Sequence, residues 1–109
     1  MSAKTTPEYL IENAEKYPNE PAISSKDENG NWDTTTWSEF KDDVVELSKA
    51  LIANGFDIGD KLSIYSYNRK EWYSAYSAAN MCYGAAVGVY HTCSPEEVEW
   101  VVGNSDSKV

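Results

Sequence analysis

Two side chains just after residue 90 are of types that can take part in chemistry. His91 follows a short apolar run and precedes a helix start, and open α/β sheets bind their ligands at such strand ends. No acidic partner or nucleophile accompanies His91, and a lone histidine is more often a partly exposed, hydrogen-bonded residue. Cys93 stands near a helix amino end, where a thiol pKa falls, but no catalytic histidine with an orienting group is evident. We therefore expect at most a ligand contact at His91, and a structural role for Cys93.

The sequence lacks the patterns that usually bind phosphate or metal. Neither GxGxxG nor GxxxxGKS/T occurs, so the chain carries no phosphate loop of its own. It has one histidine, no HExxH motif and two cysteines outside a CxxC pair, and its carboxylates form no calcium-loop pattern. Glu96, Glu97 and Glu99 suit the positive end of a helix and need no catalytic explanation. We expect neither a catalytic residue nor a metal site in these residues.

Charge and hydropathy exclude several classes of partner. The chain has 109 residues with 9 Lys and Arg against 18 Asp and Glu, and its net charge of −9 would repel a nucleic acid or an anionic lipid surface. The longest weakly polar run, Met81 to Tyr90, is half of the about 20 residues that a membrane-spanning helix needs. The two cysteines suggest no disulfide framework. We expect an ordered cytoplasmic protein with free thiols, no nucleic-acid partner and no transmembrane segment.

The first half of the chain predicts two helices and a hairpin. Apolar residues at helical spacing predict a helix over residues 6–17, which Pro18 ends. Two β-leaning stretches, 21–25 and 32–36, flank an Asn-Gly step that favours a hairpin turn. Thr36 and Glu39 have the spacing of a capping box, and the apolar pattern after them predicts a long helix that ends at Asn54-Gly55.

The second half alternates strands and helices. We predict a strand over residues 62–65, a helix from Arg69 to about Tyr83 that Asn68 caps and Gly84 ends, and a strand over 85–90 that is buried on both faces. Ser94-Pro-Glu-Glu97 resembles a second capping box, and Lys108-Val109 resembles the opening of another strand. The predicted fold is α/β: an N-terminal helix and β-hairpin, then a βαβαβ unit with parallel strands.

The chain resembles the start of the adenylate-forming superfamily, and within it the long-chain fatty acid CoA ligases. The resemblance covers roughly residues 5–109 and depends on the order and spacing of several pieces. These are Thr36-Trp-Ser-Glu-Phe40, Gly55-Phe-Asp-Ile-Gly-Asp60 with Lys61-Leu-Ser-Ile-Tyr65, Asn68-Arg-Lys-Glu-Trp72, and Gly84-Ala-Ala-Val-Gly-Val-Tyr90 followed by Thr92-Cys-Ser-Pro-Glu-Glu-Val98.

The resemblance implies an activity for a longer parent protein. That parent would be an acid–thiol ligase that joins a fatty acid to CoA at the expense of ATP, with Mg²⁺, and that sits in the cytoplasm, with peripheral membrane association left open. Residues 1–109 would be the N-terminal portion of its large domain, an incomplete part that stops before the phosphate loop. The rest of the ligase chain would be its partner. This stretch alone would hold no ATP, Mg²⁺ or CoA, although the resemblance implies a CoA contact at Tyr90, His91 and Thr92.

A different class of function remains open at this point. The same residues could form a complete, small α/β module that binds a nucleotide, CoA or a protein. Such a module would unfold cooperatively and bind its ligand saturably, whereas a part of a ligase would have unpaired strand edges and exposed apolar surface.

Overall fold

A computed structural model describes residues 4–109 of the chain. These residues contain four helices and four strands. In chain order they are α1 (Thr6–Lys16), β1 (Pro21–Lys26), β2 (Trp32–Thr36), α2 (Trp37–Ala53), β3 (Lys61–Tyr65), α3 (Lys70–Met81), β4 (Ala85–Val89) and α4 (Pro95–Ser105). The antiparallel β1–β2 hairpin and the parallel β3–β4 pair confirm the predicted α/β class.

Two helix starts use the same local device. At α2, the Thr36 hydroxyl accepts a hydrogen bond from the Glu39 backbone amide, and the Glu39 carboxylate accepts one from the Thr36 amide, which confirms the predicted capping box. α1 begins with an equivalent pair, Thr5 and Glu8. Thr5 and Glu8 have the same T-x-x-E spacing as Thr36 and Glu39, and α1 begins at residue 6, where the first helix was predicted to begin.

The hairpin turn depends on one aspartate. The Asp27 carboxylate accepts hydrogen bonds from the backbone amides of Asn29 and Asn31, each at 2.9 Å, and Gly30 takes a φ of +80°. β1 and β2 then pair from Lys26 opposite Trp32 back towards α2. The predicted hairpin is confirmed.

The main core lies between α2, α3 and the β3–β4 sheet. Ala78 and Ala79 of α3 have no exposed surface, because their small side chains let the helix backbone lie close to its neighbours. The buried cluster comprises Leu10, Phe40, Val44, Leu51, Phe56, Leu62, Ile64, Ala78, Ala79 and Cys82. α3 is the crossover between β3 and β4, and the register runs from Lys61 opposite Ala85 to Tyr65 opposite Val89.

The two ends of α3 differ from the prediction. Arg69, not Asn68, is the residue that precedes the first helical turn, and no side chain caps it. At the other end α3 stops at Met81, before the predicted end at about Tyr83, and Tyr83 takes a left-handed φ of +58°. The Gly84 amide donates to the Ala79 carbonyl and the Tyr83 amide to that of Asn80, which is the Schellman arrangement with tyrosine in the usual glycine position.

β4 is more exposed than its apolar sequence predicted. Ala85 and Gly88 are exposed and only Val89 is buried, so the prediction of burial on both faces is wrong for the part of the chain that the structure covers. The reason is that α3 packs on one face of the sheet, whereas α4 contacts β4 without burying any residue of its own.

The start of α4 has only half of the predicted capping box. The Ser94 hydroxyl accepts a hydrogen bond from the Glu97 backbone amide, but the Glu97 carboxylate accepts none from the Ser94 amide.

The segment after α4 returns to the sheet. The Lys108 amide donates to the Lys61 carbonyl and the Ser63 amide to the Val109 carbonyl, each at 2.8 Å. These bonds lie along the edge of β3 opposite β4, although residues 108 and 109 form no strand. Within residues 4–109, no helix is both long enough and apolar enough to span a bilayer.

Candidate functional site

The loops that follow β3 and β4 form a cleft at one edge of the sheet. Because the strands are parallel, their carboxyl ends lie side by side, and ligands of open α/β sheets bind at this edge. The cleft has a volume of about 260 Å³. Its lining residues are Ser66, Asn68, Trp72, Gly88, Val89, Tyr90 and His91.

An aromatic stack forms one wall of the cleft. The Trp72 ring lies against Gly88, where an added Cβ would come to 3.5 Å from the indole Cζ2. Trp72 stacks on Tyr76 with ring centres 5.8 Å apart and planes at 13°, and it meets Tyr73 edge-on. Neighbouring rings on α3 thus hold the indole in place, and the wall that it presents is apolar and preformed.

The structure brings two of the three predicted contact residues to this cleft. Tyr90 and His91 line it, and both are exposed, with 81% of the Tyr90 surface accessible. Thr92 is also exposed but is not among the lining residues. Ser66, Asn68 and Trp72 were not predicted as site residues, although the parallel topology gives a signal for Ser66 and Asn68, since both follow β3 directly.

Cys93 lies beside the cleft in an environment that keeps its thiol protonated. Partial burial raises the pKa of this thiol, and the negative charge of the nearby Glu97 carboxylate raises it further. The Tyr65 hydroxyl donates to the Cys93 carbonyl oxygen at 3.4 Å. A raised pKa opposes nucleophilic catalysis, so these contacts support the predicted structural role. Cys82 is buried, and both cysteines are free thiols.

A second, polar groove borders the cleft at Asn68. It has a volume of about 300 Å³ and lies between the hairpin and residues 67–71. Three cations line it: Arg69 Nε lies 2.8 Å from a Glu71 carboxylate oxygen, Lys70 Nζ lies 3.4 Å from an Asp43 carboxylate oxygen, and Lys26 Nζ lies 5.3 Å from the centre of the Trp32 ring. The Arg69 guanidinium accordingly lowers the pKa of Glu71. The carboxylates beside Arg69 and Lys70 offset the charge that these two side chains could offer to a phosphate ligand.

The lining of the cleft determines which ligand groups it can accept. It contains no carboxylate, lysine or arginine, but offers an indole face, two hydroxyls, an amide and an imidazole. Such groups fit uncharged rings and amides, and they do not fit Mg²⁺ or the phosphates of ATP. Residues 4–109 also contain no group of three His, Cys, Asp or Glu side chains that could hold a metal ion.

Comparisons with known proteins give matches along almost the whole chain. The profile of the family described as "AMP-binding enzyme" matches residues 10–109. The long-chain-fatty-acid–CoA ligase ACSBG2 of Rattus norvegicus is 33% identical over 96% of the chain, and 4-hydroxybutyrate–CoA ligase 2 of Metallosphaera sedula is 33% identical over 94%. The chain spans 16% and 18% of the lengths of these relatives.

A solved structure shares the fold. The N-terminal subdomain of Klebsiella oxytoca NpsA superposes with a TM-score of 0.85 at 18% sequence identity. The match covers 96% of this chain and 26% of that subdomain structure. The arrangement of helices, hairpin and parallel strands is therefore also found in that subdomain.

Proposed function

This chain belongs to the family of AMP-binding enzymes, and we propose that it is the amino-terminal region of an ATP-dependent acyl-CoA ligase. The observation that carries the proposal is the family match over residues 10–109, together with relatives at 33% identity whose names are those of CoA ligases. We propose fatty acids as the substrate class, because the name of the rat relative specifies a long-chain fatty acid.

The proposed reaction of the full-length enzyme has two displacement steps. An oxygen of the fatty acid carboxylate bonds to the α-phosphorus of ATP and diphosphate leaves, and the deprotonated sulfur of CoA then bonds to the acyl carbon and AMP leaves. Mg²⁺ would offset the charge on the phosphates. We propose that the phosphate loop, the adenine-binding region and the catalytic lysine of such enzymes lie in segments beyond residues 1–109.

We assign the cleft at the β3–β4 edge to CoA. Tyr90 and His91 line it, and Thr92 follows them in the same loop. CoA carries amide groups and an adenine ring, which are uncharged and match the indole of Trp72 and the amide of Asn68. The role of this region in the reaction would be to orient CoA, and not to move protons or electrons.

The assignment predicts a defect that is confined to the second step. In the full-length enzyme, H91A should raise the KM for CoA by about 2- to 10-fold, the factor that one net hydrogen bond represents. Fatty-acid-dependent exchange between ATP and diphosphate, which needs no CoA, should not change. The matched control is W100A on α4, which removes an exposed ring outside the cleft and should change neither value.

The possible outcomes separate the site from the activity. An unchanged KM for CoA in H91A would refute the CoA contact while leaving the ligase proposal intact. If no fatty acid supports ATP–diphosphate exchange in the full-length protein, the ligase proposal itself fails. The 109-residue chain by itself should form no acyl-CoA, and product formation by it would show that the catalytic groups were assigned to the wrong segments.

A further inference from the structure

We propose that Asn29, in the hairpin turn, is a site of spontaneous deamidation in this chain. The sequence contains two Asn-Gly steps, Asn29-Gly30 and Asn54-Gly55. Such steps are chemically labile because glycine has no Cβ to hinder the approach of its own backbone nitrogen to the preceding side chain. The structure places the two steps in different surroundings, and the difference favours Asn29.

The chemistry needs only water. The Gly30 backbone nitrogen, after losing its proton, bonds to the Asn29 side-chain carbonyl carbon, and the side-chain nitrogen leaves as ammonia. The product is a cyclic succinimide. Water then opens the ring at one of its two carbonyl carbons, which gives either aspartate or isoaspartate at position 29. No oxidant, reductant or enzyme is required.

Asn29 lies in an exposed turn with short-range restraints. Its backbone amide donates to the Asp27 carboxylate, and the Gly30 amide donates to the Asp27 carbonyl at 3.0 Å. All residues from Asp27 to Asn31 are exposed. Opening this turn therefore costs a few local hydrogen bonds and no buried apolar contact, so the reactive geometry is reached in local fluctuations.

Asn54 is restrained more strongly at the end of α2. Its side-chain Nδ2 donates to the Ala50 carbonyl at 2.8 Å, so the group that must leave is tied to the helix. The Gly55 amide donates to the Ile52 carbonyl, and the next residue, Phe56, is buried. The reaction at Asn54 must break one more hydrogen bond and disturb a core side chain.

Deamidation would alter the hairpin end. It adds a carboxylate beside Asp27 and Glu28, which already carry like charge. The isoaspartate product also lengthens the backbone of the turn by one carbon atom. The Asp27 carboxylate could then no longer accept hydrogen bonds from the backbone amides of both residue 29 and Asn31. We expect Lys26 and Trp32, the last pair of the hairpin, to separate as a result.

Peptide mapping by mass spectrometry tests the proposal. The folded chain, kept in mildly alkaline buffer at physiological temperature, should convert at Asn29 about fivefold faster than at Asn54, the factor that one additional net hydrogen bond represents. In strong denaturant the two Asn-Gly steps should deamidate at similar rates, and these rates give the intrinsic reactivity of each step in the absence of the fold. N54Q is the matched control and should leave the rate at Asn29 unchanged.

Two outcomes would overturn the inference. One is conversion at Asn54 as fast as at Asn29 in the folded chain. The other is a folded chain that remains intact at Asn29 over a period in which the denatured chain reacts completely. N29Q should abolish the early conversion while leaving the circular dichroism spectrum unchanged, because glutamine would need a larger ring to form the same type of intermediate.

Discussion

Replacing Gly84 with alanine tests how β4 is held beside β3. A Cβ at this position would lie 2.5 Å from the Asp60 carbonyl oxygen and 2.6 Å from two atoms of the Phe56 ring. Neither neighbour can move freely, since Phe56 is 4% exposed and the Asp60 carbonyl accepts a hydrogen bond from the Ala85 amide. We therefore expect G84A to push the start of β4 away from its neighbours.

The magnitude follows from two opposing effects. Overpacking a filled site costs about 1–3 kcal/mol. Alanine also restricts the unfolded chain, which stabilises by roughly 0.4–1 kcal/mol where the native backbone permits. The net loss should be about 1–2 kcal/mol, or roughly 4–10 °C in melting temperature for a chain of this size. Urea unfolding followed by circular dichroism should show a lower midpoint with an unchanged m-value.

Gly103 provides the matched control. It lies inside α4, and a Cβ there would meet no atom within 4 Å. Alanine in a helix interior is more favourable than glycine by about 0.5–1 kcal/mol. G103A should thus raise the urea midpoint while G84A lowers it. A midpoint for G84A equal to or above that of the unaltered chain would show that the close approach of Gly84 to its neighbours does not limit this position.

Three further substitutions test other features of the fold. Y83G should raise the free energy of unfolding by about 1 kcal/mol, because it removes a side chain from the left-handed region, and a loss of stability would contradict this account. T36A should lower stability by about 1 kcal/mol. T36A should also make the free energy of unfolding depend less on acid pH. In the folded chain the backbone amide and the hydroxyl of Thr36 lower the pKa of Glu39. The resulting stabilisation is present above 4.5, the pKa of Glu39 in the unfolded chain, and it is lost as the pH falls through the lower pKa of the folded chain. Equal pH dependence of the urea midpoints in both chains would exclude that contribution. E97Q should speed the alkylation of Cys93 by iodoacetamide at a fixed pH, because burial and the Glu97 carboxylate both raise the pKa of this thiol and the substitution removes the second cause. An unchanged alkylation rate would show that burial alone raises the pKa.

The start of α2 was predictable because a capping box involves only residues that are close in the chain. The Thr36–Glu39 box was predicted and is present. At α4 the same pattern is only half formed: Ser94 accepts from the Glu97 amide without a reciprocal bond, and the Glu97 carboxylate instead raises the pKa of the nearby Cys93 thiol. The motif shows that two partners are within reach, but it does not show which of them the side chain takes.

The end of α3 could not be predicted from local rules. A glycine after a helix normally takes the left-handed position, which indicates that role for Gly84. In the fold, Gly84 is instead the residue that follows the left-handed position, and there Phe56 and Asp60 leave no room for a side chain. The left-handed conformation then falls on Tyr83. The decisive contacts come from a loop that lies far from Gly84 in sequence, so only the tertiary structure reveals them.

The candidate site shows the same division between local and long-range information. Parallel pairing of two strands predicted a ligand site at their carboxyl ends, and Tyr90 and His91 do lie there. The sequence gives no sign of the ion pairs beside this cleft, because Lys70 is paired with Asp43 of α2, which lies far from it in the chain. The uncharged cleft, and not the polar groove beside it with its carboxylates and cations, is the part of this surface that we propose for CoA.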